Sequence, residues 1–261
     1  PVMSVQAAVA IFGINPVAAR LRSGRDGVHK LILRDSQLSA RQREIEMLAR
    51  DLGIAVERLS DPELARMTDV THQGVALMVD PARVLHDADL KDIIQQAEHH
   101  LLIVVLDGVT DPRNLGACLR SAATFGVDAV IIPRNNSVGL TPAAVKTASG
   151  GAEAVAVVEV VNLARCLTYL QQQNVWVVGT LLDATQALHE VDLTGHIALV
   201  LGAEGTGLRP NTVKHCDYQV RIPMVIPDFG LNVSVAAGIC LYEACRQRGL
   251  HRVVAPGAAA K

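Results

Sequence analysis

The sequence predicts an α/β protein of two domains, and three observations carry that expectation. From Leu101 onward, apolar runs near 101–106, 128–132, 155–160, 175–179, 197–201 and 218–222 alternate with helical stretches, the pattern of a mainly parallel sheet covered on both faces. Between Ile11 and Val79 the apolar runs are shorter and sit between separately capped helices, as in a small domain of its own. Half of the 261 residues are apolar, enough to bury a sizeable core.

Taken in chain order, the first apolar run, Ser4 to Ile11, is too short to cross a bilayer and follows no basic stretch. Helices open at Asn15-Pro16, Ser39 and Asp61-Pro62, where a capping side chain is twice followed by proline at the first helical position. Strands fill Val28 to Leu33, Ile54 to Val56 and Val75 to Val79. Residues 1–80 therefore read as a small α/β domain, and 81–100 as a polar linker with a short helix over Asp89 to Ala97. The larger domain spans 101–250, and the tail 251–261 has the composition of a disordered terminus. Inside the larger domain, Leu115 to Phe125 reads as an amphipathic helix. So does Val233 to Arg248, whose Val235, Ile239, Leu241 and Tyr242 serve either the core or an interface.

Composition narrows the function classes. A net charge of −2 is not the footprint of a strongly basic nucleic-acid-binding protein. The local exception is Arg20, Arg22, Arg25, Lys30 and Arg34, which face a single acid, Asp26; the cluster is either a phosphate-binding surface or a solvated rim. Phe12 is the only Phe, Tyr or Trp before Phe125, so base stacking by the N-terminal part is a minor term. Five cysteines with no CxxC pair argue against a disulfide framework and a zinc site and fit a reducing cytoplasm, and the histidines show no metal-ligand spacing.

Three short blocks concentrate the chemistry: Asn114 to Ala122 (NLGACLRSA), Leu201 to Leu208 (LGAEGTGL) and Leu231 to Gly238 (LNVSVAAG). Each lies where an apolar strand meets a turn or helix, the place where open α/β sheets bind ligands. Polar groups are scarce there, so Asn114, Arg120, Glu204, Asn232 and Ser234 stand out. The glycine turn has the order GxxGxG rather than GxGxxG and lacks an acidic ribose partner, which argues against a dinucleotide enzyme.

These blocks, in this order, resemble the signature motifs of the SPOUT methyltransferases, in particular the SpoU branch that methylates ribose 2′-oxygens in RNA. The resemblance covers roughly Leu101 to Arg248, with weaker fragments at Ile11 to Ser23 and His72 to Leu77. Within the branch, the chain is most similar to the enzymes acting on guanosines of bacterial 23S rRNA. The resemblance implies a trefoil knot in the larger domain, S-adenosylmethionine as methyl donor, an RNA-binding N-terminal domain, a homodimer and no metal. It implies donor contacts at Gly179, Thr180, Leu201, Gly202, Ile222, Met224, Leu231 and Ser234, and catalytic roles for Asn114, Arg120, Glu204, Asn232 and Ser234.

Arg120 keeps its proton under ordinary conditions, so its expected role is to clamp an RNA phosphate and lower the hydroxyl's effective pKa. Glu204 either accepts the hydroxyl proton or holds Asn114 and the ribose in place. Asn114 and Asn232 either position the ribose or act as helix caps. The sequence departs from the family at Gly230, where members commonly carry a functional serine. Two other readings stay open: a tRNA 2′-O-methyltransferase, and a non-catalytic RNA-binding or ribosome-assembly protein that retains the fold.

Overall fold

Residues 8–68 and 71–249 are described by a computed structural model, and they divide between a unit ending at Ala82 and one beginning at Arg83. The expected disordered tail lies outside the described residues.

The first unit runs β1 (Val9–Phe12), α1 (Ile14–Arg22), β2 (Val28–Arg34), α2 (Ala40–Asp51), β3 (Ala55–Leu59), α3 (Asp61–Arg66) and β4 (Val75–Val79). Its sheet has the order β1-β4-β2-β3, antiparallel except for β2 beside β3. Leu31, Leu33, Val75 and Leu77 pack with Val17, Leu21, Ile45 and Ala49 of α1 and α2, whereas Ile32 and Ala76, which alternate with them, meet Leu64 of α3. Two helix starts lie earlier than the prolines suggest. Gly13 caps α1, with the Ile14 amide donating to Gln73 Oε1 at 2.9 Å. Ser60 caps α3, its amide donating to Glu63 Oε2 at 2.8 Å.

The second unit begins with β5 (Val84–Leu85) and α4 (Asp87–Gln96), so most of the segment expected as a linker is built into this unit instead. The edge strand β5 pairs with a neighbour, and Leu90 of α4 is buried in the core. There follow β6 (Leu102–Asp107), α5 (Pro112–Thr124), β7 (Ala129–Pro133), α6 (Pro142–Ala148), α7 (Gly151–Ala154), β8 (Ala156–Val160), α8 (Leu163–Gln172), β9 (Trp176–Thr180) and β10 (Gln186–Ala187). The unit ends with β11 (Ile197–Gly202), α9 (Pro210–Val213), β12 (Tyr218–Arg221) and α10 (Val233–Gln247).

The eight strands form one parallel sheet, in the order β10-β12-β9-β11-β6-β7-β8-β5. Central strands of such a sheet are covered on both faces, which is why β6, β7 and β11 are nearly continuous apolar runs. Ile103, Val105, Ile131 and Val200 face a core built with Leu167 and Leu170 of α8, and α10 lies along β11 and α5. The carboxyl ends of β9, β11, β6 and β7 thus form one edge, onto which all three motif blocks emerge.

Candidate active site

Polar residues of the three blocks meet above β11 and β6. Asn114 sits in the first turn of α5, Glu204 in the loop after β11, and Asn232 caps α10. Asn114 Nδ2 donates to Glu204 Oε1 at 3.0 Å. Asn232 Nδ2 donates to Asn114 Oδ1 at 3.0 Å and also to Glu204 Oε1. The Val233 amide approaches the same carboxylate oxygen at 3.4 Å. Asn232 Oδ1 accepts from the Ser234 amide at 2.9 Å and from Ser234 Oγ at 2.5 Å. All the donors to Glu204 converge on Oε1; among the described residues Oε2 has no hydrogen-bond partner.

Sequence reasoning missed the group that anchors this arrangement. Asp107, at the end of β6, is completely buried, and its carboxylate takes the Arg209 amide at 3.0 Å and Arg209 Nε at 2.6 Å. A second guanidinium nitrogen of Arg209 also pairs with it. This joins the base of the 203–208 loop to the strand from which α5 departs. The sequence signal was an acid closing a fully apolar strand, LLIVVLD.

Beside the polar trio lies a cleft of about 680 Å³, walled by Thr180, Leu201, Ile222, Met224 and Leu231 and reaching Glu204 and Asn232. Gly202 explains the shape of its floor: a Cβ there would stand 2.1 Å from the Gly207 carbonyl carbon and 2.3 Å from the Leu208 nitrogen. The loop therefore closes on its own backbone, with Ala203 bridging Gly207. Of the expected donor contacts, Thr180, Leu201, Gly202, Ile222, Met224 and Leu231 line this cleft. Gly179 instead lies beneath Leu208 and Cys216, and Ser234 is engaged with Asn232. Burial pushes the Cys216 thiol up to about 11, which makes it an inert wall rather than a nucleophile. An apolar slot with backbone turns at one end and carboxylates, Asp183 and Asp228, at its rim fits a cationic nucleoside such as S-adenosylmethionine.

Arg120 does not join the trio. It is exposed on α5, six residues after Asn114 and therefore about 240° around the helix, and among the described residues its guanidinium has no partner. The basic cluster of the first unit is also divided. Arg20 is buried, and its guanidinium donates to Ser23 Oγ at 3.2 Å and to the carbonyls of Gly24 and Asp26, so this arginine holds its own loop instead of meeting a ligand. Lys30 pairs with Glu57 at 2.5 Å and Arg34 with Asp61 at 3.1 Å, whereas Arg22 and Arg25 are exposed. On α10, Leu241 is core, while Val235, Ile239 and Tyr242 form an exposed stripe. Among the described residues no cluster of His, Cys, Asp or Glu could hold a metal ion, and no helix is long and apolar enough to cross a membrane.

Comparison with known proteins agrees with this geometry. The model of the SpoU rRNA methylase family matches residues 101–242, and that for RNA 2′-O ribose methyltransferase substrate binding matches residues 10–85. The chain is 46% identical over 241 residues to the 23S rRNA (guanosine-2′-O-)-methyltransferase RlmB of Xylella fastidiosa, covering 92% of this chain and 97% of that protein. With the protein of the same description from Coxiella burnetii it shares 42% identity, over 92% and 96% of the two chains. Among solved structures, it is similar to the SpoU methyltransferase AviRb from Streptomyces viridochromogenes in complex with AdoMet. That match has a TM-score of 0.65 and 26% identity, and covers 93% of this chain and 91% of that one.

Proposed function

The chain belongs to the SpoU rRNA methylase family, and from that premise we propose that it methylates the ribose 2′-hydroxyl of a guanosine in 23S rRNA, with S-adenosylmethionine as donor. The observation that carries this reading is the meeting of Asn114, Glu204 and Asn232, from three separate motif blocks, at the mouth of the apolar cleft. Bound in that cleft, S-adenosylmethionine supplies an electrophilic methyl group. Thr180, Leu201, Gly202, Ile222, Met224 and Leu231 would hold it there and exclude water.

The chain's own residues then have two tasks. Asn114 and Asn232 fix one oxygen of Glu204, which leaves Oε2 to take the proton of the ribose hydroxyl. The same amides and the Ser234 hydroxyl hold the ribose in line with the cleft. Alignment of reacting groups is worth roughly 7–11 kcal/mol, against about 3–5 kcal/mol for a positioned proton acceptor, so orientation is the larger contribution.

Arg120 is exposed on α5, about 240° around the helix from its own Asn114, and the stripe Val235, Ile239, Tyr242 is exposed in a single chain. A homodimer accounts for both: the stripe is covered, and Arg120 serves the partner subunit's site by clamping a phosphate. The N-terminal domain, residues 1–80, selects the RNA, with Arg22 and Arg25 as its exposed phosphate contacts. The trefoil knot of the family and a cytoplasmic place of action belong to the same reading.

The test is transfer of labelled methyl from S-adenosylmethionine to unmodified 23S rRNA and to bulk tRNA, with Glu204→Ala as control. Label at a guanosine 2′-oxygen of 23S rRNA alone, absent in the control, supports the proposal. Label in tRNA alone would replace the substrate, and donor binding with no transfer would favour a non-catalytic RNA-binding protein.

A further inference from the structure

A second cleft, of about 320 Å³, opens at the carboxyl ends of β7 and β8. Its polar lining consists of Asn135 and Asn136 after β7, Asn162 at the start of α8, and Arg209, Asn211 and Thr212 at the start of α9. Four amides and one guanidinium face this space with no carboxylate among the lining residues. The nearby acids are already engaged: Asp107 by Arg209, and Glu159 by Arg134 at 2.7 Å. Asn162 Oδ1 accepts the Arg165 amide at 3.0 Å, which leaves its Nδ2 free to face a ligand. Asn211 has no side-chain hydrogen bond among the described residues; its backbone carbonyl accepts from His215. Such a set offers both donors and acceptors around one cleft, the chemistry that reads the edge of a nucleobase.

The place of the cleft in the sheet gives it a purpose. The cleft for the methyl donor lies above β9 and β11, the polar trio above β11 and β6, and the asparagine cleft above β7 and β8. Successive strands are about 4.8 Å apart, so the strand ends beneath the asparagine cleft lie roughly 10 Å along the edge from those beneath the trio. Arg209 links the two, since the residue that borders the asparagine cleft also anchors the loop carrying Glu204.

We propose that this second cleft is a nucleobase subsite: it receives the base of a nucleotide flanking the methylated one in single-stranded RNA, and Asn162 and Asn211 hydrogen-bond to that base. The proposal rests on the reading of the chain as an RNA methyltransferase. It adds a local source of sequence selectivity in the larger unit, separate from the substrate-binding unit.

The test uses the full chain with the variant Asn162→Ser/Asn211→Ala, in which serine keeps the oxygen that caps α8. Binding to an unmodified 23S rRNA fragment is measured by gel shift, alongside donor binding by calorimetry. A panel of the same fragment carries a single abasic nucleotide at each position flanking the target. The expected result is about tenfold weaker RNA binding by the variant, the loss of one good amide-to-base pairing, with donor affinity unchanged. One abasic position should weaken wild-type binding equally and add nothing to the variant. Equal binding of wild type and variant, or an abasic effect that adds in full to the variant's loss, would overturn the subsite. Because the readout is binding, failure of methyl transfer by the wild type would count against the proposed reaction and leave the subsite to stand or fall on the gel shifts.

Discussion

Replacing Glu204 by glutamine separates positioning from proton transfer. Glutamine keeps the size of the side chain and one carbonyl oxygen, but loses the charge and the second acceptor. In the native site the two amide donors, Asn114 and Asn232, converge on Oε1, and the Val233 amide at 3.4 Å adds little. A hydrogen bond to a charged group is stronger than a neutral one by about 1 kcal/mol, so two of them amount to about 2 kcal/mol. Exposure of the trio to solvent reduces that to roughly 1–2 kcal/mol. Loosened geometry alone therefore costs about 5–30-fold in rate. Loss of a proton acceptor removes a further factor of about 10²–10⁴. Single-turnover methyl transfer to the 23S rRNA fragment should fall by at least about 500-fold, the product of the two smallest factors, while donor affinity by calorimetry stays within about threefold. A fall of less than about 30-fold would refute the proton role and leave Glu204 as a bracket for the two asparagines.

Asp107→Ala leaves the Arg209 guanidinium without its buried partner, and urea unfolding should show a loss of about 3 kcal/mol, the low end for a broken buried pair because Arg209 is partly exposed. In Gly202→Ala the new Cβ collides with backbone at 2.1 Å, so calorimetric donor binding should disappear while the circular dichroism spectrum of the sheet persists. Ile239→Asp/Tyr242→Glu should convert a dimer to a monomer in sedimentation; a wild type that is already monomeric would refute the interface. Arg246 and Gln247 hydrogen-bond Glu243 and hold its carboxyl down at about 2, below the usual 4.5. Its contribution to stability is thus present above pH 4.5 and lost as pH falls towards 2, and Glu243→Gln should flatten the acid-unfolding profile in that window.

The strands of the second unit could be read from sequence because burial on both faces demands continuous apolar runs, and six of the eight were found within a residue or two. Strands β5 and β10 are two-residue edges whose existence depends on pairing with β8 and β12, which no local pattern reveals. The supposed linker misled because α4 is polar on most of its surface and buries chiefly Leu90. Asn114, Glu204 and Asn232 stood out as polar groups at strand ends, but their convergence spans up to 118 residues and belongs to topology. Arg20 shows the opposite failure. Its position in a basic run suggested a ligand, yet the loop at 23–26 turns carbonyls inward, and the guanidinium satisfies them.

The resemblance implies a serine where this chain has Gly230, and the backbone explains why no side chain stands there. The residue closes the turn over Pro227–Phe229 at φ 63° and ψ −174°, a region essentially restricted to glycine. A serine at that position would have to abandon the turn or carry strain of roughly 1–3 kcal/mol. The missing hydroxyl is thus the consequence of a loop shaped by Ile226, Pro227, Asp228 and Phe229. Asn114, Glu204, Asn232 and Ser234 are linked to one another without residue 230. The loop itself contributes to the lining of the cleft, through Asp228 and the exposed ring of Phe229.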